Sequence, residues 1–227
     1  MIPKALIFDS STIITLALNN LLSVLQHLKE SFGGKFLITP QIKHEIVDIP
    51  IKQKRFELEA LLISNLLKKN ILEISEPNQL EKETENMVAI GNSIFSADTE
   101  KIRILHEGEA SCFALAKILS KDYKVFLAID ERTARILSEK PENLQDLLEK
   151  KLHTQIKVDK AKLSFFKGFD ILRSSELLFI AYKKGFIELP TDPETAIDAL
   201  FFAAKFKGCS ISYNEIKDAK LLIKKSF

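Results

Sequence analysis

Two short apolar runs that each end in an acid constrain this chain more than any other feature. Ala5-Leu6-Ile7-Phe8 stops at Asp9, and Val125-Phe126-Leu127-Ala128-Ile129 stops at Asp130. Four or five consecutive apolar residues without alternation fit a strand covered on both faces, as in parallel sheets flanked by helices. Each run leads into a helical pattern. Ser10, Ser11 and Thr12 offer capping groups for an apolar helix to Leu18, and residues 131–139 read as a helix. Between the two runs, residues 35–38 and 71–74 read as further strands. Residues 21–32 read as a helix closed by Gly33-Gly34, and Thr39 caps a helix with Pro40 at its first position and Ile42 and Ile46 on its buried stripe. Residues 56–67 form one more helix. Strands that alternate with helices predict βαβ units and an α/β fold, a central parallel sheet with helices on both sides.

The rest of the chain is read mostly as helix. Residues 79–105 are a charged helical stretch, broken near Gly91, and residues 107–120 form a helix apolar almost all round, which must pack on several sides. After Pro141 come helices at 142–152, 174–184, 193–207 and 213–225, with one short strand at 156–158. A chain of 227 residues suits one large unit. The expected organisation is a core of residues 1–139 with an α-rich C-terminal extension, residues 140–227, packed on it. Leu177, Leu178, Ile197, Leu200 and Phe201 form stripes that need a buried partner.

Composition narrows the class. Nearly half the residues are apolar, and seven glycines and seven prolines are too few for a disordered chain. Cys112 and Cys209 lie far apart with no CxxC, which predicts buried thiols in a reducing compartment. The N-terminus lacks the pattern of a signal peptide, and no apolar stretch approaches the roughly 20 residues that span a bilayer. A cytoplasmic protein with no membrane partner is expected. A net charge of +2 does not by itself mark a nucleic-acid binder. The lysines cluster, however, at Lys52 with Lys54 and Arg55, at Lys68 with Lys69, at Lys183 with Lys184, at Lys205 with Lys207, and in a tail with Lys217, Lys220, Lys224 and Lys225. Taken singly these are solvated faces.

The acids carry the chemistry. Ligands of open parallel sheets bind outside the carboxyl ends of the strands, where Asp9 and Asp130 fall. Either alone reads as a helix N-cap. Glu109, in the first turn of the apolar helix, alone reads as a partner of the helix dipole, a role Glu107 fills equally. Glu45, beside Ile42 and Ile46, alone reads as an exposed helix carboxylate. Together they are a different matter. Carboxylates gathered at one sheet edge repel unless a cation neutralises them, and oxygen-only ligands favour Mg²⁺ or Mn²⁺. The chemistry suggested is phosphodiester hydrolysis by a metal-activated water.

These residues resemble the PIN-domain family of metal-dependent ribonucleases. The matching segments are Ile7-Phe8-Asp9-Ser10-Ser11, Thr39-Pro40 through Glu45, Gly108-Glu109-Ala110 with Ala114-Leu115-Ala116, and Ala128-Ile129-Asp130-Glu131-Arg132 with Arg135. Residues 174–187 are similar to the closing segment of an archaeal and bacterial, toxin-like branch. The resemblance implies a PIN-like fold and a catalytic and metal-binding quartet of Asp9, Glu45, Glu109 and Asp130 around Mg²⁺ or Mn²⁺. It implies that Ser11 and Arg132 orient substrate, that single-stranded RNA is cut endonucleolytically, and that an antitoxin or other protein is a partner, with self-association open. Two departures stand out: residues 46–105 and 138–170 are longer than a minimal domain, and Glu131 stands where the branch often has a second Asp. A non-catalytic PIN-like module that binds RNA or protein is the alternative. A haloacid-dehalogenase-type phosphatase needs an acid at Ser11, and a dinucleotide-binding Rossmann enzyme needs a Gly-rich fingerprint after the first strand; both are absent.

Overall fold

Strand β1 (Lys4–Phe8) runs through the middle of the molecule, and Ala5, Leu6, Ile7 and Phe8 are all buried, so both faces of its sheet are covered. The computed structural model describes residues 2–98 and 100–223. After β1 come α1 (Ser10–Leu18), α2 (Val24–Phe32), β2 (Lys35–Ile38), α3 (Pro40–Lys43), α4 (Glu57–Lys68), β3 (Glu73–Ile74) and α5 (Leu80–Gly91). The chain continues through β4 (Phe95–Ala97), β5 (Glu100–Lys101), α6 (Glu107–Leu119), β6 (Lys124–Ala128), α7 (Arg132–Glu139), α8 (Pro141–Leu152), β7 (Ile156–Val158) and β8 (Asp170–Leu172). It closes with α9 (Ser174–Lys183), α10 (Pro193–Phe206) and α11 (Tyr213–Ile223). The tail residues Lys224 and Lys225 lie outside the described residues.

Five strands form the central sheet in the order β3-β2-β1-β6-β8, all parallel. The fold is therefore α/β with a parallel core. From β1 the chain builds outward to β2 and β3, and later returns to the other side of β1 with β6 and β8. The order reverses between β1 and β6, so a crevice opens there at the strands' carboxyl ends. Leu6 pairs with Phe126 and Phe8 with Ala128, which brings the ends of both strands level. The N–H of Asp9 extends the ladder by donating to the Ala128 carbonyl at 2.9 Å.

Helix α6 lies against β1 and β6 with α5 packed on it. Its buried residues, among them Ala110, Cys112, Phe113, Ala114, Leu115 and Ala116, lie on every side, as a helix enclosed by neighbours requires. Helices α1, α2 and α9 pack together, with α10 on α9 and α11 on α10. Local chemistry sets the ends. Gly33 closes α2 with φ of 64°, and Thr39 caps α3 by accepting from the Ile42 N–H at 3.2 Å.

One expectation is corrected. Helix α5 ends at Gly91, and a hairpin of β4 and β5 occupies part of the stretch read as helix. Asn92 enforces the change: its amide oxygen accepts from the N–H groups of Ile104 and Leu105, and its amide nitrogen donates to the Leu105 carbonyl. Strand β7 falls at the residues expected, and it pairs antiparallel with β4 in a separate three-stranded sheet. Strand β8, which sequence periodicity passes over, is the outer partner of β6, so the central sheet is completed from beyond residue 139.

Candidate functional site

The crevice between β1 and β6 holds the acids. Asp9 is 2% exposed, and its carboxylate accepts from the Ser11 backbone N–H at 3.1 Å and from the Ser11 hydroxyl. It is therefore an N-cap of α1, as a lone Asp at this position is expected to be. It is also more than a cap. Burial pushes its carboxyl up to about 6 against the opposing Ser11 bonds, and the nearby charge of Glu45 pushes the same way.

Glu45 reaches the crevice by way of helix packing. The Thr39 and Ser111 hydroxyls share a buried hydrogen bond of 2.7 Å, which pins the start of α3 to α6. Past Lys43 the helix widens into a π-helical turn, His44–Asp48, closed by the Ile49 N–H donating to the His44 carbonyl. Glu45 then lies over Gly108: a Cβ on that glycine would sit 2.9 Å and 3.1 Å from the two Glu45 carboxylate oxygens. Only a glycine lets the carboxylate settle on the first turn of α6.

Glu109 follows in that turn. Its carboxylate accepts from the His106 N–H at 3.1 Å, and burial, then the charges of Asp9 and Glu131, push it up to about 7. Glu107 is exposed and faces a different cleft. Beneath the three acids lies the Cys112 thiol, raised by its own burial and then by Asp9, Glu109 and Glu45.

Asp130 is tied to the start of α9. It is fully buried, one carboxylate oxygen accepts from the Ser174 N–H at the start of α9 at 2.7 Å, and the other is buried with no hydrogen-bond partner among the described residues. Its charge raises the Cys209 thiol, after burial, on that side of the crevice. Glu131 is the group at the end of β6 whose charge reaches Glu109, while it caps α7 by accepting from the Ala134 N–H at 2.7 Å. The Ser11 hydroxyl bridges the two strand ends, donating to Asp9 and accepting from the Asp130 N–H at 3.1 Å. Arg132, the first residue of α7, is exposed at the rim. Glu45 thus lies on the first turn of α6, the charges of Asp9 and Glu131 both bear on Glu109, and the Ser11 hydroxyl joins Asp9 to the Asp130 backbone.

Sequence reading misses two contributors. Gly108 stands out only as part of a motif, and Glu131 only as a departure from one.

The donor set is all oxygen, and its members raise one another's affinity for a positive charge, which suits a hard divalent cation. Among the described residues no three His, Cys, Asp or Glu side chains stand close enough to enclose an ion as placed. No known family model matches this chain, and no curated protein matches it.

Proposed function

We propose that this protein is a divalent-metal-dependent endoribonuclease of PIN type that hydrolyses phosphodiester bonds of single-stranded RNA. The observation supporting it is the crowding of Asp9, Glu45 and Glu109 beside the point where strand order reverses: Glu45 lies on the first turn of α6, and Asp9 and Glu109 feel one another's charge. Maintaining three partly buried carboxylates together is unfavourable by like-charge repulsion and desolvation, and a cation with a phosphate substrate offsets both. Asp9, Glu45, Glu109 and Asp130 would hold Mg²⁺ or Mn²⁺, which would supply charge neutralisation and an activated water.

The chain's own residues then have defined tasks. Ser11 fixes the Asp9 carboxylate and ties it to the end of β6. Gly108 admits Glu45. The Glu109 carboxyl, raised to about 7, holds its proton in part near neutral pH and releases it when a cation arrives. Asp130 anchors the start of α9 and so sets the wall of the crevice from behind.

Incubating the full chain with mixed RNAs, with and without Mn²⁺, tests this reading. Internal cuts that need the ion and vanish with Asp9→Asn are expected. The anchored Asp130 and the open spacing of the acids favour a second reading, a PIN-like module that binds RNA or a protein without cutting; RNA that is bound but stays intact under every ion would select it.

A further inference from the structure

The acidic centre has two unlike flanks. On the side of α3 and α5 lies a cleft of about 880 Å³ whose lining includes Glu76, Glu81, Glu85 and Glu107 and no Lys or Arg. A polyanion is repelled there. On the side of α7 the surface is different. A groove of about 760 Å³ is lined by Arg132, Lys150 and Lys151 together with the acids Glu131 and Asp146. A second groove of about 660 Å³ shares Arg132, Ile136 and Asn143 with the first; its lining adds Arg135, Lys140 and Lys205, the acids Glu139 and Glu215, and the rings of Phe206 and Tyr213. The two share residues of α7 and extend from Glu131 to the turn between α10 and α11.

The path pairs charge with rings. Among the described residues Arg132, Lys140, Lys150 and Lys151 are exposed and take part in no ion pair, so their charges are available to an incoming anion. At the far end Phe206 is 70% and Tyr213 62% exposed. Phe206 stacks on Phe202 at 5.8 Å, and Tyr213 lies against Phe202 with the Lys205 ammonium 4.6 Å over its ring. Each ring is packed on a neighbour and exposed at the end of the grooves. Cations spaced along a groove with exposed aromatic faces fit a single strand of nucleic acid, whose phosphates follow the charges and whose unpaired bases stack on the rings. A duplex offers no free base faces, and an acidic peptide has no use for the rings as stacking platforms.

We infer that this groove is the track that holds single-stranded RNA, phosphates on Arg132, Lys140, Lys150 and Lys151 and bases on Phe206 and Tyr213, so that the strand approaches the centre from the α7 side. The inference rests on the nuclease reading only for the identity of the strand as substrate. Its test therefore measures binding without cleavage.

A labelled single-stranded RNA of mixed sequence is titrated with the full chain in chelator, by fluorescence anisotropy at several salt concentrations. The wild type is expected to bind. Lys150→Ala with Lys151→Ala should weaken binding and flatten its dependence on log salt by about 0.7 for each phosphate no longer neutralised. Phe206→Ala should weaken it roughly five-fold to a hundred-fold with the salt slope unchanged, and should leave binding of a duplex of the same sequence as it was. Lys68→Ala with Lys69→Ala, on another face, should bind like the wild type. Melting of each variant checks that the fold is kept. Binding that is intact in every groove variant overturns the track and leaves the nuclease reading standing, and a wild type that binds no single-stranded RNA overturns both. RNA held in the groove as described but never cut in Mn²⁺ supports the track and overturns the nuclease reading alone.

Discussion

Gly108 has room beside Glu45 for a hydrogen and nothing larger. Alanine there improves helix propensity by up to about 1 kcal/mol, and the group it displaces is the flexible end of a side chain. Gly108→Ala is therefore expected to melt at or above the wild-type temperature while Mn²⁺-dependent cleavage falls at least about ten-fold, a loss of about 1.4 kcal/mol in the transition state. Unchanged cleavage would mean that Glu45 is not needed where it lies. Asp9→Asn gives the complementary trade. The wild type ionises a buried carboxyl whose value stands at about 6, at a cost on the order of 3 kcal/mol at neutral pH, and the asparagine avoids it. The variant should melt higher in chelator, gain less from Mn²⁺, and cut nothing; an equal response to the ion would reduce Asp9 to a helix cap. The same two raised carboxyls set a pH dependence. An unfolded chain sheds both protons near the ordinary value of about 4, whereas the fold keeps them to about 6 at Asp9 and about 7 at Glu109. Their contribution is complete below about pH 4 and is lost as pH rises through 6 and 7, so the metal-free protein should melt higher near pH 5 than near pH 8. Melting that is flat across this range would contradict the crowding. Asp9, Glu45, Glu109 and Asp130 are picked out by their order in the chain; the bond from the Ser174 N–H to Asp130 is not, because that donor is remote and a backbone group carries no sequence signature.

Among the elements, long ones are legible and short ones are not. Helices α1, α4, α6, α9 and α10 repeat their apolar residues often enough to declare a period, and β1 and β6 declare themselves as unbroken apolar runs. Strands β4, β5 and β8 have two or three residues each, too few for any period, and exist because of what lies beside them. Asn92 is the clearest case: one side chain satisfies two N–H groups and a carbonyl ahead of α6. Asn92→Ala strands the Ile104 and Leu105 donors, and should cost about 1–3 kcal/mol, read as a lower melting temperature with the carboxylate cluster less able to respond to Mn²⁺. The start of α9 is secured differently. Arg173 binds Glu176 within its own helix start and Glu215 on α11 at 2.7 Å, and Arg135 of α7 donates to the Ser210 carbonyl at 3.0 Å. Although burial opposes it, the Ser212 and Arg173 bonds hold the Glu215 carboxyl at about 2. That contribution is present above the ordinary glutamate value and disappears only as pH falls toward 2, outside the window in which Asp9 and Glu109 act.

At the scale of the molecule, the central sheet needs residues from both ends of the chain. Leu127 pairs with Ile171, and β8 covers the edge of β6. A chain ended at residue 140 leaves that edge bare and strips α9 from α1 and α2, so it should be insoluble or melt without cooperativity. A fragment of residues 1–140 that melts cooperatively would show the remainder to be dispensable. Among the described residues no helix is long and apolar enough to cross a membrane. The parallel order of the sheet also has a consequence for synthesis. The Ser11 hydroxyl meets the Asp130 N–H across 119 residues, and Asp130 in turn waits for Ser174. Every neighbouring pair in a parallel sheet is joined by a long crossover, so none of these bonds forms while its later member is still inside the ribosome. The first strand emerges early and stays unpaired on its β6 side for most of translation. The acids that crowd one another in the folded protein are, until then, far apart, and the crevice between β1 and β6 is secured only after the start of α9 has emerged.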